Sequence, residues 1–216
     1  MGAAMPKPVE ATVNAGSSSA VNFWLTCLFL LSGAAALIYQ VCWQRLLFES
    51  IGVDIESVTI IVSTFMLGLG LGSIIGGELV DRHPGRTIEI FATIELATAI
   101  FGVLSPSLIH AVSAAVVNSS RAGTGVANFL LLLIPTTLMG ATLPVLVAHV
   151  VRVYRNLGMS VGALYFANTL GAAFGAGLTG FLALYYFGLA STIYFAAALN
   201  AGVGATVWLG LRRASV

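Results

Sequence analysis

The sequence predicts an all-α polytopic membrane protein with about six transmembrane helices. Of its 216 residues, 58% are hydrophobic and only 8% are charged, and the mean hydropathy is +1.00. A soluble domain is about 25% charged, so this chain lacks the polar side chains that would cover a water-exposed surface. Its 24 glycines also fit membrane helices, in which small residues let two backbones approach closely.

Charge-free stretches of about 20 residues or more locate the helices, because that length crosses the hydrocarbon core. Residues 1–21, rich in Ala, Ser and Pro, are predicted to form a disordered cytoplasmic tail; a cleaved signal peptide is the alternative. The six-helix transmembrane domain is predicted over residues 22–211, and residues 212–216 are the predicted cytoplasmic C-terminus. The predicted helices cover approximately residues 22–44, 57–77, 87–110 and 122–148, and the charge-free residues 156–211 supply two more that join near residues 186–191.

The distribution of positive charge predicts the orientation, because short cytoplasmic loops retain Lys and Arg. A cytoplasmic N-terminus leaves only Arg45 and Arg121 outside. The other seven of the nine basic residues then lie inside: Lys7, Arg82, Arg86, Arg152, Arg155, Arg212 and Arg213. Both termini are therefore predicted to be cytoplasmic.

Composition also excludes several classes of function. A formal net charge of +1 without clustered Lys and Arg gives no broad surface for nucleic acid. Cys27 and Cys42 lie 15 residues apart in the first helix, about 22 Å along its axis, too far for a disulfide. The three His residues have no Cys or Asp at ligand spacing, so neither a metal site nor a cofactor is expected.

Glycine patterns in the second and fifth helices predict an internal repeat. The first pattern is Gly68, Gly70, Gly72, Gly76 and Gly77, and the second is Gly171, Gly175, Gly177 and Gly180. Three spans reverse the direction of the chain, so matching helices three spans apart indicate a 3+3 inverted repeat, which is common in transporters. The alternative is that both helices use glycine independently for close packing.

The loop after the second helix carries a charged motif, Gly77-Glu78-Leu79-Val80-Asp81-Arg82-His83-Pro84-Gly85-Arg86. It resembles the motif between the second and third helices of major facilitator transporters, with one extra residue before Gly85. This resemblance implies a cytoplasmic gating latch formed by Asp81, Arg82 and Arg86. The alternative is a loop that only retains positive charge inside.

Four sequence runs carry a further resemblance: LFLLSGAAALIYQVCWQRLL (28–47), FMLGLGLGSIIGGELVDR (65–82), LLLIPTTLMGATLPVL (131–146) and LYFANTLGAAFGAGLTGF (164–181). They resemble the membrane region of bacterial spermidine-synthase-like membrane proteins. The resemblance implies the bacterial inner membrane and a fold like half of a major facilitator. In that family a soluble aminopropyltransferase-like domain commonly follows the membrane region.

The sequence contains no counterpart of that soluble domain. A nucleoside cosubstrate would need a strand, a Gly-rich turn and an acidic residue, and the chain ends at Val216, shortly after the sixth predicted helix. We therefore expect this chain to have no catalytic residues and not to be an enzyme.

Polar residues at one predicted depth form the candidate binding site. Glu95 lies about 13 Å into the third helix, close to the middle of the bilayer, where ionisable groups usually indicate function. Asn168 has a similar depth, and Thr136 and Thr137 follow a helix-loosening proline. With a cation–π contribution from Tyr165, these residues are predicted to bind a small cation or polyamine. The alternative is that a neutral Glu95 only hydrogen-bonds a neighbouring helix.

A polar and aromatic cluster ends the first helix at its predicted outer end. It consists of Gln40, Trp43, Gln44 and Arg45. An amphipathic Trp beside a long basic side chain is typical of an interfacial anchor, which we predict here in preference to contact with a solute.

The favoured prediction for function is a membrane module with transporter-like packing that binds or moves a small cationic solute such as a polyamine. Six helices make half of a major facilitator, so a transport path would need a homodimer or another membrane subunit. The alternatives are a non-catalytic anchor or scaffold for a spermidine-synthase-like enzyme or other membrane complex, and a remnant of a fused enzyme.

Overall fold

The fold is all-helical. The computed structural model describes residues 9–52, 54–116, 120–154 and 157–214, and no β-strand occurs within these ranges. A π-helical turn, Thr179–Ala183, follows the fifth helix. The α-helices are α1 (Val9–Ile51), α2 (Asp54–Arg82), α3 (Thr87–Ala115), α4 (Arg121–Tyr154), α5 (Leu157–Leu178) and α6 (Leu184–Ala214). The prediction of an all-α fold is confirmed.

Five helical segments of the described chain are long and apolar enough to cross a membrane, where the sequence predicted six. They are Phe23–Ile51, Ile55–Arg82, Thr87–Ala115, Ala122–Arg152 and Gly158–Gly210. The count differs because the predicted loop near residues 186–191 contains no stretch of non-helical residues. A single glycine, Gly188, interrupts the helical backbone there, with φ 76° and ψ 176°.

Both ends of the chain continue as helix where the sequence predicted tails. Helix α1 begins at Val9, so residues 9–21 are helical, and residues 1–8 of the predicted tail lie outside the described residues. After Pro8 this segment contains no further proline, so nothing in it breaks the helix. At the other end α6 continues to Ala214, and residues 215–216 lie outside the described residues.

Small residues join the helices in close pairs. Helix α2 lies against α4, where a Cβ added to Gly76 would lie 2.8 Å from the Ala141 Cα. Helix α5 lies against α1 in the same way, where a Cβ added to Gly175 would lie 2.8 Å from the Ala34 Cα. Because these glycines have no side chain, the paired backbones touch directly, which is how membrane helices associate without a hydrophobic driving force.

The order of the contacts gives the helix directions. Phe29 and Trp43 of α1 contact Phe91 and Ser105 of α3, so these helices run parallel. Helix α5 also runs parallel to α1, because Gly171 contacts Leu30 and Gly175 contacts Ala34. Helix α6 runs antiparallel to α3: Asn200 bonds Glu95, and Gly204, further along α6, meets Ala92, earlier in α3. The chain therefore reverses direction between α5 and the main part of α6.

Trp43 lies in the core and not at a membrane interface. Its side chain is fully buried and stacks on Tyr39, with the ring centroids 4.9 Å apart. Its Nε1 donates a hydrogen bond of 2.8 Å to the Ser105 Oγ. The interfacial anchor predicted for this cluster is therefore wrong for Trp43, because the tryptophan faces α3, whereas Arg45 is exposed.

Candidate functional site

The candidate site is built around Glu95, which three helices enclose. Glu95 lies on α3 and is only 1% exposed. Ser32 of α1 donates a hydrogen bond from its Oγ to the Glu95 Oε1 at 2.5 Å. Asn200 of α6 donates from its Nδ2 to the Oε2 at 2.5 Å. One neutral donor therefore holds each carboxylate oxygen, and the carboxyl group joins α1, α3 and α6.

The local sequence allows this close approach. Ser32 begins the small-residue run Ser32-Gly33-Ala34-Ala35, in which Gly33 and Ala34 lie against α5 while Ser32 bonds Glu95 of α3. On the other side, Gly204 of α6 lies where a Cβ would meet the Ala92 carbonyl oxygen at 3.1 Å. The close approach of α6 to α3 at Gly204 brings the short side chain of Asn200 within hydrogen-bond distance of the carboxylate.

Further buried polar groups line the same side of α3. Thr98 lies one turn beyond Glu95, and the Tyr39 hydroxyl lies against Gly102, another turn along. Next comes Ser105, which donates to the Gly102 carbonyl at 2.8 Å and accepts the Trp43 bond. A polar seam thus runs from Glu95 along the α1–α3 interface.

Glu95 has no cationic partner in the part of the chain that the structure describes. The ion pairs found there join Arg82 to Glu78 at 2.5 Å and Arg86 to Glu89 at 3.9 Å, all on exposed side chains. Hydrogen bonds from neutral groups are therefore the interactions that this structure gives to the buried carboxyl group.

The structure does not bring the other predicted site residues to Glu95. Asn168 lies between α1 and α5, where its Oδ1 would be 2.6 Å from a Cβ added to Gly33. Thr136 is buried between α2 and α4 and donates to the Leu132 carbonyl at 2.9 Å. Thr137 donates to the Leu133 carbonyl at 2.7 Å. Each of these residues therefore belongs to a different helix pair from Glu95.

Tyr165 points away from the bundle. Its side chain is 60% exposed on α5, so it offers no aromatic face to Glu95. Residues at one depth along different helices can face different directions, because a helix turns by about 100° at each residue. Equal depth alone therefore could not predict that these side chains would meet.

In the predicted gating motif, neighbours on the same stretch of chain hold the basic residues. Arg82 pairs with Glu78 one turn earlier on α2, and Arg86 pairs with Glu89 at the start of α3. Asp81 is exposed and takes part in neither pair. The latch between helices remains a prediction, and exposed pairs of this kind contribute little stability.

The sequence analysis missed four residues of the site: Ser32, Asn200, Thr98 and Tyr39. Asn200 had a usable signal, because an amide in an otherwise apolar span is as unusual as Glu95 itself. No sequence signal marks Ser32, Thr98 or Tyr39, because hydroxyl side chains occur throughout these helices. Only the tertiary contacts distinguish the hydroxyl groups of the site from the others.

Fold and site together define an all-helical bundle, with helices long and apolar enough to span a membrane and with a buried acidic centre. The chain is similar to a polyamine aminopropyltransferase of Oceanobacillus iheyensis, at 26% identity over 193 residues, 88% of this chain. It is also similar to polyamine aminopropyltransferase 2 of Streptomyces coelicolor, at 29% identity over 184 residues, 83% of this chain. No family model and no solved structure matches the chain.

These relatives are longer proteins: the chain spans about a third of their length, 36% of the first and 32% of the second. The similarity supports the predicted resemblance to spermidine-synthase-like proteins. It contradicts the expectation that this chain is not an enzyme, because both relatives are named as enzymes and match most of this chain. The lack of a recognisable cosubstrate motif in this sequence is therefore not evidence against an enzyme.

Proposed function

We propose that this chain forms the membrane-embedded part of an aminopropyltransferase that acts on polyamines. The observation that carries the proposal is that similarity to two proteins of that name extends over 83–88% of this chain and therefore includes most of its helical bundle. The five apolar segments supply the membrane attachment. In this proposal the bundle holds the transfer reaction at the bacterial inner membrane.

Co-purification of activity tests this proposal. The tagged chain is extracted with mild detergent from the membranes of its own organism, and transfer of a labelled aminopropyl group to putrescine is measured. We expect activity to be enriched with the tagged chain relative to an identical preparation from untagged cells. Equal activity in both preparations would overturn the proposal.

We further propose that the segment Gly158–Gly210 crosses the membrane twice, giving six crossings and two cytoplasmic termini. Its 53 residues would extend about 80 Å as one helix, against a hydrocarbon core of about 30 Å. The reversal of direction between α5 and α6, with Gly188 non-helical between them, supports this arrangement.

The helix pairing supports the 3+3 inverted repeat as part of the same proposal. In such a repeat α1, α2 and α3 correspond to α4, α5 and α6. The α2–α4 pair then corresponds to the α5–α1 pair, and the α3–α6 pair corresponds to itself. All three pairs are in contact in the structure. The Gly68 and Gly72 spacing on α2 also recurs as Gly171 and Gly175 on α5, each at its paired helix. The bond between Glu95 and Asn200 then lies at the interface of the repeats, where transporters place their binding sites.

Binding or movement of a polyamine by the bundle is the second candidate function, and the buried carboxyl group of Glu95 favours it. Because the carboxyl group is enclosed, a polyamine could reach it only after α1, α3 and α6 separate. Liposomes containing the purified chain test this with labelled spermidine or putrescine. Uptake that Glu95→Gln abolishes would support the candidate, and uptake unchanged by that substitution would remove Glu95 from the path.

A homodimer or another membrane subunit would complete such a path. Open space where a Cβ would stand is found at Gly70 and Gly77 of α2, at Gly177 of α5 and at Gly180 of the π-helical turn, so these faces can accept another helix or lipid. Crosslinking in native membranes distinguishes a protein neighbour from lipid.

A further inference from the structure

Three buried polar atoms on the polar seam lack a hydrogen-bond partner in the described part of the chain. They are the Thr98 Oγ1, the Asn200 Oδ1 and the Tyr39 hydroxyl, all on side chains no more than 2% exposed. Buried polar atoms are nearly always satisfied, and an unsatisfied one indicates an internal water or ion. Oxygen atoms with free lone pairs therefore accompany the Glu95 carboxyl group.

The charge of this region favours an ion. Both Glu95 oxygens accept hydrogen bonds from neutral donors, and the ion pairs of the described residues lie elsewhere. An ionised carboxylate in a low-dielectric interior costs a large free energy, which either protonation or a neighbouring cation removes, so a cation beside Glu95 would stabilise its ionised form. One carboxylate balances one positive charge.

The ligand atoms indicate which cation fits. Carboxylate, hydroxyl and amide oxygens are hard ligands that suit alkali and alkaline-earth ions better than transition metals. The enclosed carboxyl group also leaves no open route for a long organic cation. A small monovalent ion satisfies both the charge and the ligand type.

We propose that Glu95, Thr98 and Asn200 bind one Na⁺ ion at the junction of α1, α3 and α6, with the Tyr39 hydroxyl at its outer side. Thr98 lies three residues from Glu95 on the same face of α3, and side chains with this spacing are neighbours. Asn200 is held against the carboxylate by its Nδ2, which leaves its Oδ1 free to coordinate. The site is independent of the proposed aminopropyltransferase activity.

Thermal unfolding of the full chain in detergent tests the site. At constant ionic strength, choline chloride is replaced stepwise by NaCl, and the Tm is expected to rise with the logarithm of the Na⁺ concentration, as mass action requires. Thr98→Val removes one ligand with little change in shape, and we expect it to weaken the apparent Na⁺ affinity about tenfold. Thr93→Val is the matched control, because Thr93 is exposed on the same helix and bonds the Glu89 carbonyl.

Direct binding of ²²Na⁺ to the wild-type chain provides the second measurement, which needs no variant to fold. We expect saturable binding of one ion, reduced in Thr98→Val, retained in Thr93→Val and abolished in Glu95→Gln. An equal Tm in choline and Na⁺ without bound ²²Na⁺ would overturn the proposal and leave water as the occupant. Binding that Glu95→Gln retains would also contradict it.

Discussion

At the scale of single residues, burial of Glu95 constrains the bundle most. A carboxyl group buried in an apolar helical bundle must find donors within the protein, because apolar side chains supply none. Ser32 and Asn200 supply them from two other helices. The sequence identified Glu95 because a charge in an apolar span stands out, but its partners depended on the rotation of α1 and α6 about their axes.

The hydrogen bond from Ser32 gives a residue-scale prediction. Ser32→Ala leaves the Glu95 Oε1 without its donor in a buried site, so we expect a loss of about 1–3 kcal/mol in the free energy of unfolding. Thermal unfolding in detergent measures the change. Ser73→Ala is the control, because Ser73 is exposed and its Oγ bonds only the Gly70 carbonyl, so it should change stability by less than about 0.5 kcal/mol. Equal effects of the two substitutions would contradict the role of Ser32.

At the scale of secondary-structure elements, glycine faces determine which helices pair. The glycine patterns of α2 and α5 predicted an inverted repeat, with close packing as the alternative, and in the structure glycines of both helices lie at close helix contacts. The sequence could not predict which neighbour each glycine would meet. Gly76 and Gly77 are adjacent in sequence, yet only Gly76 faces Ala141, since neighbouring residues point to different sides of a helix.

This difference predicts opposite outcomes for two adjacent substitutions. Gly76→Ala would place its Cβ 2.7 Å from the Ala141 carbonyl oxygen and force α2 and α4 apart, with an expected cost of about 1–3 kcal/mol. Gly77→Ala meets nothing within 4 Å and should be neutral or slightly stabilising. Thermal unfolding of both variants measures this, and a Gly77→Ala variant as unstable as Gly76→Ala would refute the pairing.

The break within α6 carries its own element-scale prediction. Gly188 combines φ 76° with ψ 176°, a backbone conformation open almost only to glycine. Gly188→Ala should therefore cost about 1–3 kcal/mol in the free energy of unfolding although the added methyl group has space. Gly202→Ala, on an exposed helical position of the same element, should not destabilise the protein. If both variants unfold at the wild-type temperature, the protein does not require the glycine-only backbone conformation at position 188.

At the scale of the whole molecule, the proposal of six crossings rests on the direction of α6. Cysteine labelling in intact cells provides the test, with Met159→Cys, Tyr185→Cys and Leu209→Cys, because all three positions are well exposed. Six crossings predict that positions 159 and 209 react from the cytoplasmic side and position 185 from the outside. A single pass through Gly158–Gly210 would instead put positions 159 and 209 on opposite sides.

The sequence by itself determined that this protein is helical, apolar enough for a membrane and provided with one acidic group deep in an apolar span. Composition and charge-free length suffice for these conclusions, because each follows from the properties of residues taken along the chain. Only the tertiary structure decided that Ser32 and Asn200 hold Glu95, that Trp43 is buried, and that Asn168, Thr136 and Tyr165 lie elsewhere. Those outcomes depend on the rotation and register of each helix, which interhelical contacts fix and local sequence does not.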